Sequence, residues 1–203
     1  MADVADLFDG WALGGRADSM QRGHGKTAGR LMDVLRIGPG TRFLDLGCGN
    51  GWACRQAAAK GAVCTGIDLS GEMLAQARVL GGATFLQHDF AHLPFGDACF
   101  DVAWSMEALY YAPDADAVLR AVRRVLVPGG EFHLLMDFYL ENQASHSWPR
   151  ALGVPMVLRS EEGWREALRA AGFEDVSSQR LRAASRKAEA WQRQEGTLYL
   201  RAG

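Results

Sequence analysis

The sequence predicts one α/β domain built on a doubly wound, mostly parallel sheet. Three observations carry this reading. Strand-like and helix-like segments alternate along most of the 203 residues, as parallel strands joined by crossover helices require. The run Phe43-Leu44-Asp45-Leu46 opens directly into Gly47-Cys48-Gly49-Asn50-Gly51, a buried strand entering a glycine-rich turn. A helical stretch follows from Trp52, so its first amides face that same turn. A ligand crevice is expected there, outside the carboxyl ends of the strands.

The elements follow in order. A helix over about 23–36 runs into the Pro39-Gly40 break, which starts the first strand at about 41–46. The alternate glycines at 47, 49 and 51 let the backbone turn and approach a ligand with no Cβ in the way. Helices are then expected at about 51–60, 71–80, 114–126 and 160–171, and strands at about 62–67, 83–88, 99–105 and 130–137. Beyond Gly172, Phe173–Leu181 and Thr197–Leu200 read as two further strands with no clear helix between them. No repeat or low-complexity tract divides the chain, so 1–203 is expected to be a single domain.

Composition narrows the function. Hydrophobic residues make up 48% and charged residues 23%, ordinary values for a soluble globular domain. A net charge of −2 without a lysine or arginine run argues against nucleic acid as a partner. The acidic start Met1-Ala2-Asp3-Val4-Ala5-Asp6 is unlike a signal peptide, and no apolar segment is long enough to span a membrane. A cytoplasmic location is expected. Cys48, Cys54, Cys64 and Cys99 lack C-x-x-C spacing, so neither a zinc site nor any other metal site is expected.

The glycine turn also discriminates between nucleotides. In the dinucleotide fingerprint the third glycine falls where this chain has Trp52, and Asp45 would repel a pyrophosphate. Asp45 suits a ligand that presents a cation there, as the methionine half of S-adenosylmethionine does. Five motifs then stand in order: Leu44-Asp45-Leu46-Gly47-Cys48-Gly49-Asn50-Gly51, Gly66-Ile67-Asp68-Leu69-Ser70, Asp89-Phe90, Leu93-Pro94-Phe95 with Phe100-Asp101, and Leu126-x-Pro128-Gly129-Gly130. On these residues the chain resembles the class I S-adenosylmethionine-dependent methyltransferases. Its likeness is to the methyltransferase type 11 group, which includes the ubiquinone and menaquinone C-methyltransferases. It runs from about Arg30 to Phe138 and weakens toward the C-terminus.

The resemblance implies a Rossmann-like fold, a seven-stranded sheet whose C-terminal hairpin inserts the last strand antiparallel beside the fifth. It implies S-adenosyl-L-methionine as cofactor, bound along Asp45, Gly47, Cys48, Gly49 and Gly51. Asp68, at the end of the second strand, would accept from the ribose hydroxyls. Leu69 and Met73 would pack on the adenine, although a helix-core role explains Met73 nearly as well. Asp89 and the Phe90 amide would bind the adenine edge, and backbone near Ser105 and Met106 the methionine ammonium.

Acceptor contacts are expected from Glu107, Tyr110 and Tyr111. Glu107 is the candidate catalytic base, or else it caps a short helix or orients a tyrosine. Two further segments are candidates for substrate choice: residues 1–30 as an N-terminal cover containing His24, and residues 139–159 as a substrate lid containing Trp148. The expected activity is transfer of a methyl group to a small-molecule acceptor by direct displacement, largely through alignment of the reactants. A non-catalytic S-adenosylmethionine- or S-adenosylhomocysteine-binding regulator would show the same cofactor residues. A nicotinamide oxidoreductase is opposed by Asp45 and Trp52. Carbon, oxygen and nitrogen all stay open as the methylated atom, as does the oligomeric state.

Overall fold

The computed structural model describes residues 3–16, 27–185 and 188–203. Its frame is one mixed sheet of β1 (Arg42–Leu46), β2 (Val63–Asp68), β3 (Thr84–Gln87), β4 (Phe100–Met106), β5 (Leu126–Met136), β6 (Val176–Leu181) and β7 (Thr197–Ala202). The strand order is β3-β2-β1-β4-β5-β7-β6. β1 to β5 pair in parallel, whereas β7 runs antiparallel to both β5 and β6. The C-terminal hairpin therefore places its last strand beside β5, as the resemblance implies. The order reverses at β1 and β4, which splits the crevice between their carboxyl ends.

Helices cover both faces, which is why the central strands are almost uniformly apolar and not alternating. On one face, α2 (27–34), α3 (Trp52–Ala58) and α4 (Gly71–Leu80) pack on Phe43, Cys64, Phe85 and Trp104. On the other, α5 (Ala115–Val125) and α7 (Glu161–Ala170) pack on Leu44, Leu46, Ile67 and Phe132. Between β3 and β4 the chain makes only a short 3-10 turn at Phe90–His92. The α5 side of the β2–β3 edge thus carries no crossover helix among the described residues, and Val63 is left 65% exposed.

The structure corrects the sequence reading at four places. A helix not anticipated, α1 (Val4–Leu13), starts at Asp3, whose side chain caps the Ala5 amide. A short helix α6 (Trp148–Leu152) lies in the 139–159 segment. Another, α8 (Ala190–Gln194), lies between β6 and β7, held by a capping box at Glu189 and Gln192. β5 begins at Leu126, because Pro128-Gly129 forms a bulge and does not break the strand; the register shifts opposite Phe100 and Val102. No helix among the described residues is long and apolar enough to cross a membrane.

Candidate functional site

The carboxyl ends of β1, β2 and β4 open on a cavity of about 780 Å³. Its floor is the turn between β1 and α3. Gly47 sits at φ +74°, and a Cβ there would lie 2.3 Å from the Ala108 Cβ, so only glycine lets the two loops meet. Gly51 begins α3 at φ +76° with the Phe85 ring against it. Asp68 holds this floor in place: its carboxylate accepts from the Gly49 amide at 2.8 Å and from the Ser70 amide at 2.9 Å. Burial raises the Asp68 pKa, and those amide bonds oppose the rise. Each oxygen keeps a lone pair for a ligand hydroxyl.

Asp45 is 3% exposed, and its hydrogen-bond donor is the weak thiol of Cys54 at 3.7 Å. Burial pushes its pKa up to about 7, helped by the nearby charge of Asp68. Burial likewise lifts the Cys48 thiol well above its usual range, so it stays protonated and unreactive. Asp89 caps the 3-10 turn through the Ala91 amide and also lines the cavity. Met73 is buried against Ala12 of α1 and lines the cavity too, so it serves both the wall and the core.

The far end of the cavity is aromatic. Phe8 meets Trp11 at 5.1 Å and Tyr111 at 5.3 Å, both edge to face, while Trp148 stacks on Phe138. Glu107 stands among them at φ 55°, a left-handed conformation that a side-chain-bearing residue adopts only when its surroundings impose it. Its Oε2 accepts from the Tyr110 hydroxyl at 2.8 Å, and its Oε1 is buried without a hydrogen-bond partner. Burial, reinforced by the charge of Asp137, drives the Glu107 pKa well above the carboxylate range.

Most of the residues expected from the sequence are brought together here. Asp45, Gly47, Cys48, Gly49, Asp68, Leu69, Met73, Asp89, Phe90, Met106, Glu107, Tyr110, Tyr111 and Trp148 all line the cavity. Two do not. Gly51 lies behind the wall under Phe85, and the Ser105 hydroxyl is spent on the Leu46 carbonyl at 3.0 Å, tying β4 to β1. His24 lies outside the described residues.

Residues 44–134 match the family described as "Methyltransferase domain". The chain is 32% identical to the putative methyltransferase in a Haloferax volcanii complex with the Trm112 methyltransferase activator. That likeness covers 100% of this chain and 98% of the other at a TM-score of 0.90. It is 30% identical to an S-adenosylmethionine-dependent methyltransferase from Mesorhizobium loti, over 85% of this chain and 94% of that one, at a TM-score of 0.70. The chain belongs to the S-adenosylmethionine-dependent methyltransferases. Among curated relatives, 27-O-demethylrifamycin SV methyltransferase of Amycolatopsis mediterranei is 36% identical over 74% of this chain and 60% of its own length. The chain spans about half the length of the curated relatives it matches.

The residues of this methyltransferase fit the family's cofactor. A buried carboxylate poised to ionise, a glycine floor that a Cβ would fill, and partly open acceptor oxygens on Asp68 match a cationic nucleoside that bears no phosphate. Phe8 and the Trp104 indole were missed in the sequence. Val4, Leu7, Phe8 and Trp11 show the helical 3–4 spacing, and with Asp3 as cap this signal would have found α1. Trp104 reads as an ordinary buried strand residue, and nothing local separates it from the core.

Proposed function

We propose that the chain transfers a methyl group from S-adenosylmethionine to a small-molecule acceptor. The observation that supports it is one cavity joining the Asp45–Asp68 floor to the aromatic wall around Glu107. Asp68 would hold the ribose, Asp45 the ammonium, and Asp89 with Phe90 the adenine side. When bound, the cofactor supplies an electrophilic methyl group on a sulfonium centre.

Phe8, Tyr111 and Trp148 exclude water and hold an apolar acceptor body in line, and alignment of this kind is worth up to ~7–11 kcal/mol in favourable systems. The Oε1 of Glu107, left open by Tyr110, is the atom that would accept a proton from an acceptor N–H or O–H. Since burial keeps that carboxyl protonated at low pH, the rate should climb as pH rises through its raised pKa. The curated relative from Amycolatopsis, named for a demethylated rifamycin, supports a small-molecule acceptor. The four free cysteines support a reducing, cytoplasmic setting.

The test is transfer from labelled S-adenosylmethionine into a fractionated cell lysate, with Asp68→Ala as control. Label in the small-molecule fraction is the expected result. Label in protein or nucleic acid overturns the acceptor class, and none at all from cofactor-binding protein favours the regulator reading.

A second reading concerns a protein partner. The Haloferax structure holds an activator, and the bare β2–β3 edge with Val63 and Leu86, 65% and 36% exposed, supports a comparable partner adding a strand to β3. Size-exclusion chromatography with a purified Trm112-type protein would show a joint peak that Leu86→Asp abolishes; separate elution of the two proteins refutes the pairing.

A further inference from the structure

Among the described residues, two of the buried side-chain polar atoms without a hydrogen-bond partner belong to residues that line the cavity: Glu107 Oε1 and Trp104 Nε1. The first belongs to the acceptor end. The second has no explanation in the fold. Trp104 is fully buried at the centre of the sheet, and an indole N–H can only donate. A donor sealed from water without an acceptor is costly, and buried polar groups are nearly always satisfied. A ligand that brings the missing acceptor into the cavity resolves this.

Its neighbour shows which acceptor. Trp104 stands directly opposite Asp45 in the parallel β1–β4 pairing, so the two side chains leave adjacent strands on the same face. Both line the cavity. Asp45 is an acceptor in need of a cation and Trp104 is a donor in need of an anion, side by side. One common chemical group offers a cation and an anion one carbon apart: the α-amino-acid end of a ligand. We infer that Trp104 is a cofactor-binding residue whose Nε1–H donates to the carboxylate of the amino-acid end, while Asp45 takes its ammonium. This rests on the cofactor reading above and adds a residue to it. An all-carbon side chain at 104 would fill the core equally well and leave the carboxylate without this donor.

Calorimetric titration of wild type and Trp104→Phe with two ligands tests the inference. S-adenosylhomocysteine carries the amino-acid end, and 5′-methylthioadenosine lacks it. Trp104→Phe should weaken S-adenosylhomocysteine about 10-fold, the loss of one hydrogen bond to a charged group, and leave methylthioadenosine within about twofold. Equal losses for both ligands would mean that the ring only shapes the wall, and unchanged binding of S-adenosylhomocysteine would mean that the N–H meets nothing. Either result overturns the assignment.

Should Trp104→Phe fail to fold, the wild-type indole N–H resonance gives the same decision. It should move downfield with S-adenosylhomocysteine and stay put with methylthioadenosine; an identical response to the two ligands overturns the inference. Wild type that binds neither ligand overturns the cofactor reading as well.

Discussion

Asp45 and Asp68 sit at the ends of neighbouring strands, yet their environments give them different work. Asp68 is held by two backbone amides, so it fixes the turn even without a ligand. Asp68→Ala should weaken S-adenosylmethionine binding by about 1.5–3 kcal/mol, read by titration, through the loss of charge-assisted hydrogen bonds. Asp45 is held more weakly, by the thiol and backbone of Cys54, and burial raises its pKa from 3.8 to about 7. Between those values the folded state binds more protons than the unfolded chain. Its contribution to stability is therefore complete below about pH 4 and lost as pH rises through about 7. Asp45→Asn removes that dependence. Unfolding free energies of the empty protein, measured with denaturant, should favour the variant by about 4 kcal/mol more at pH 8 than at pH 4, since one pKa unit corresponds to about 1.4 kcal/mol. A difference that does not change with pH would refute the buried, cation-seeking state. Both acids were legible in the sequence, Asp45 from its place beside the glycine turn and Asp68 from the carboxyl end of the second strand. The unpartnered Trp104 was not, because its partner strand lies 59 positions away in register with Asp45.

At the scale of elements, one wall of the cavity is built by α1, which is fastened to α4. Asp9 accepts from the Ser70 hydroxyl and from the Glu72 amide at the start of α4, while the Gln76 amide donates to the Ala12 carbonyl. This is a helix N-terminus capped by a carboxylate from another helix, and it sets Phe8 and Trp11 over the floor. Asp9→Ala should cost about 0.5–2 kcal/mol, the range for loss of a capping side chain. It should also speed release of S-adenosylhomocysteine in stopped flow, and an unchanged release rate would show that α1 does not gate the site. The 139–159 segment is similarly anchored. The Leu140 amide donates to the Arg159 carbonyl across its base, and the Val157 amide donates to the Tyr110 carbonyl at 2.7 Å. Sequence periodicity located the sheet strands and the longer helices other than α1 because each has a buried face. It missed α6 and α8, whose five residues are too few to display a period.

For the whole molecule, ligand and fold are coupled. The cavity lies at the carboxyl ends of the central strands, and on its wall the Asp45 carboxylate has a weak thiol donor while Trp104 Nε1 and Glu107 Oε1 have no hydrogen-bond partner. Saturating S-adenosylhomocysteine should raise the unfolding free energy by about 2.7 kcal/mol at a hundredfold excess over Kd, measured by chemical denaturation. A protein whose stability ignores the ligand would not be using this site. The strand segments, the glycine turn and the acids near the carboxyl ends of β1 and β2 are written locally, as short apolar runs ending in residues of special conformation or charge. Sequence by itself therefore determined the fold class, the family and most of the residues that line the cavity. Tertiary structure alone decided what each polar group meets: that the Ser105 hydroxyl is consumed inside the sheet, that α1 lines the cavity, and that Trp104 lines it beside Asp45 with its donor unpaired. The physical reason is that hydrogen-bond satisfaction depends on contacts between residues far apart in the chain, whereas strand and helix propensity depend on neighbours within it.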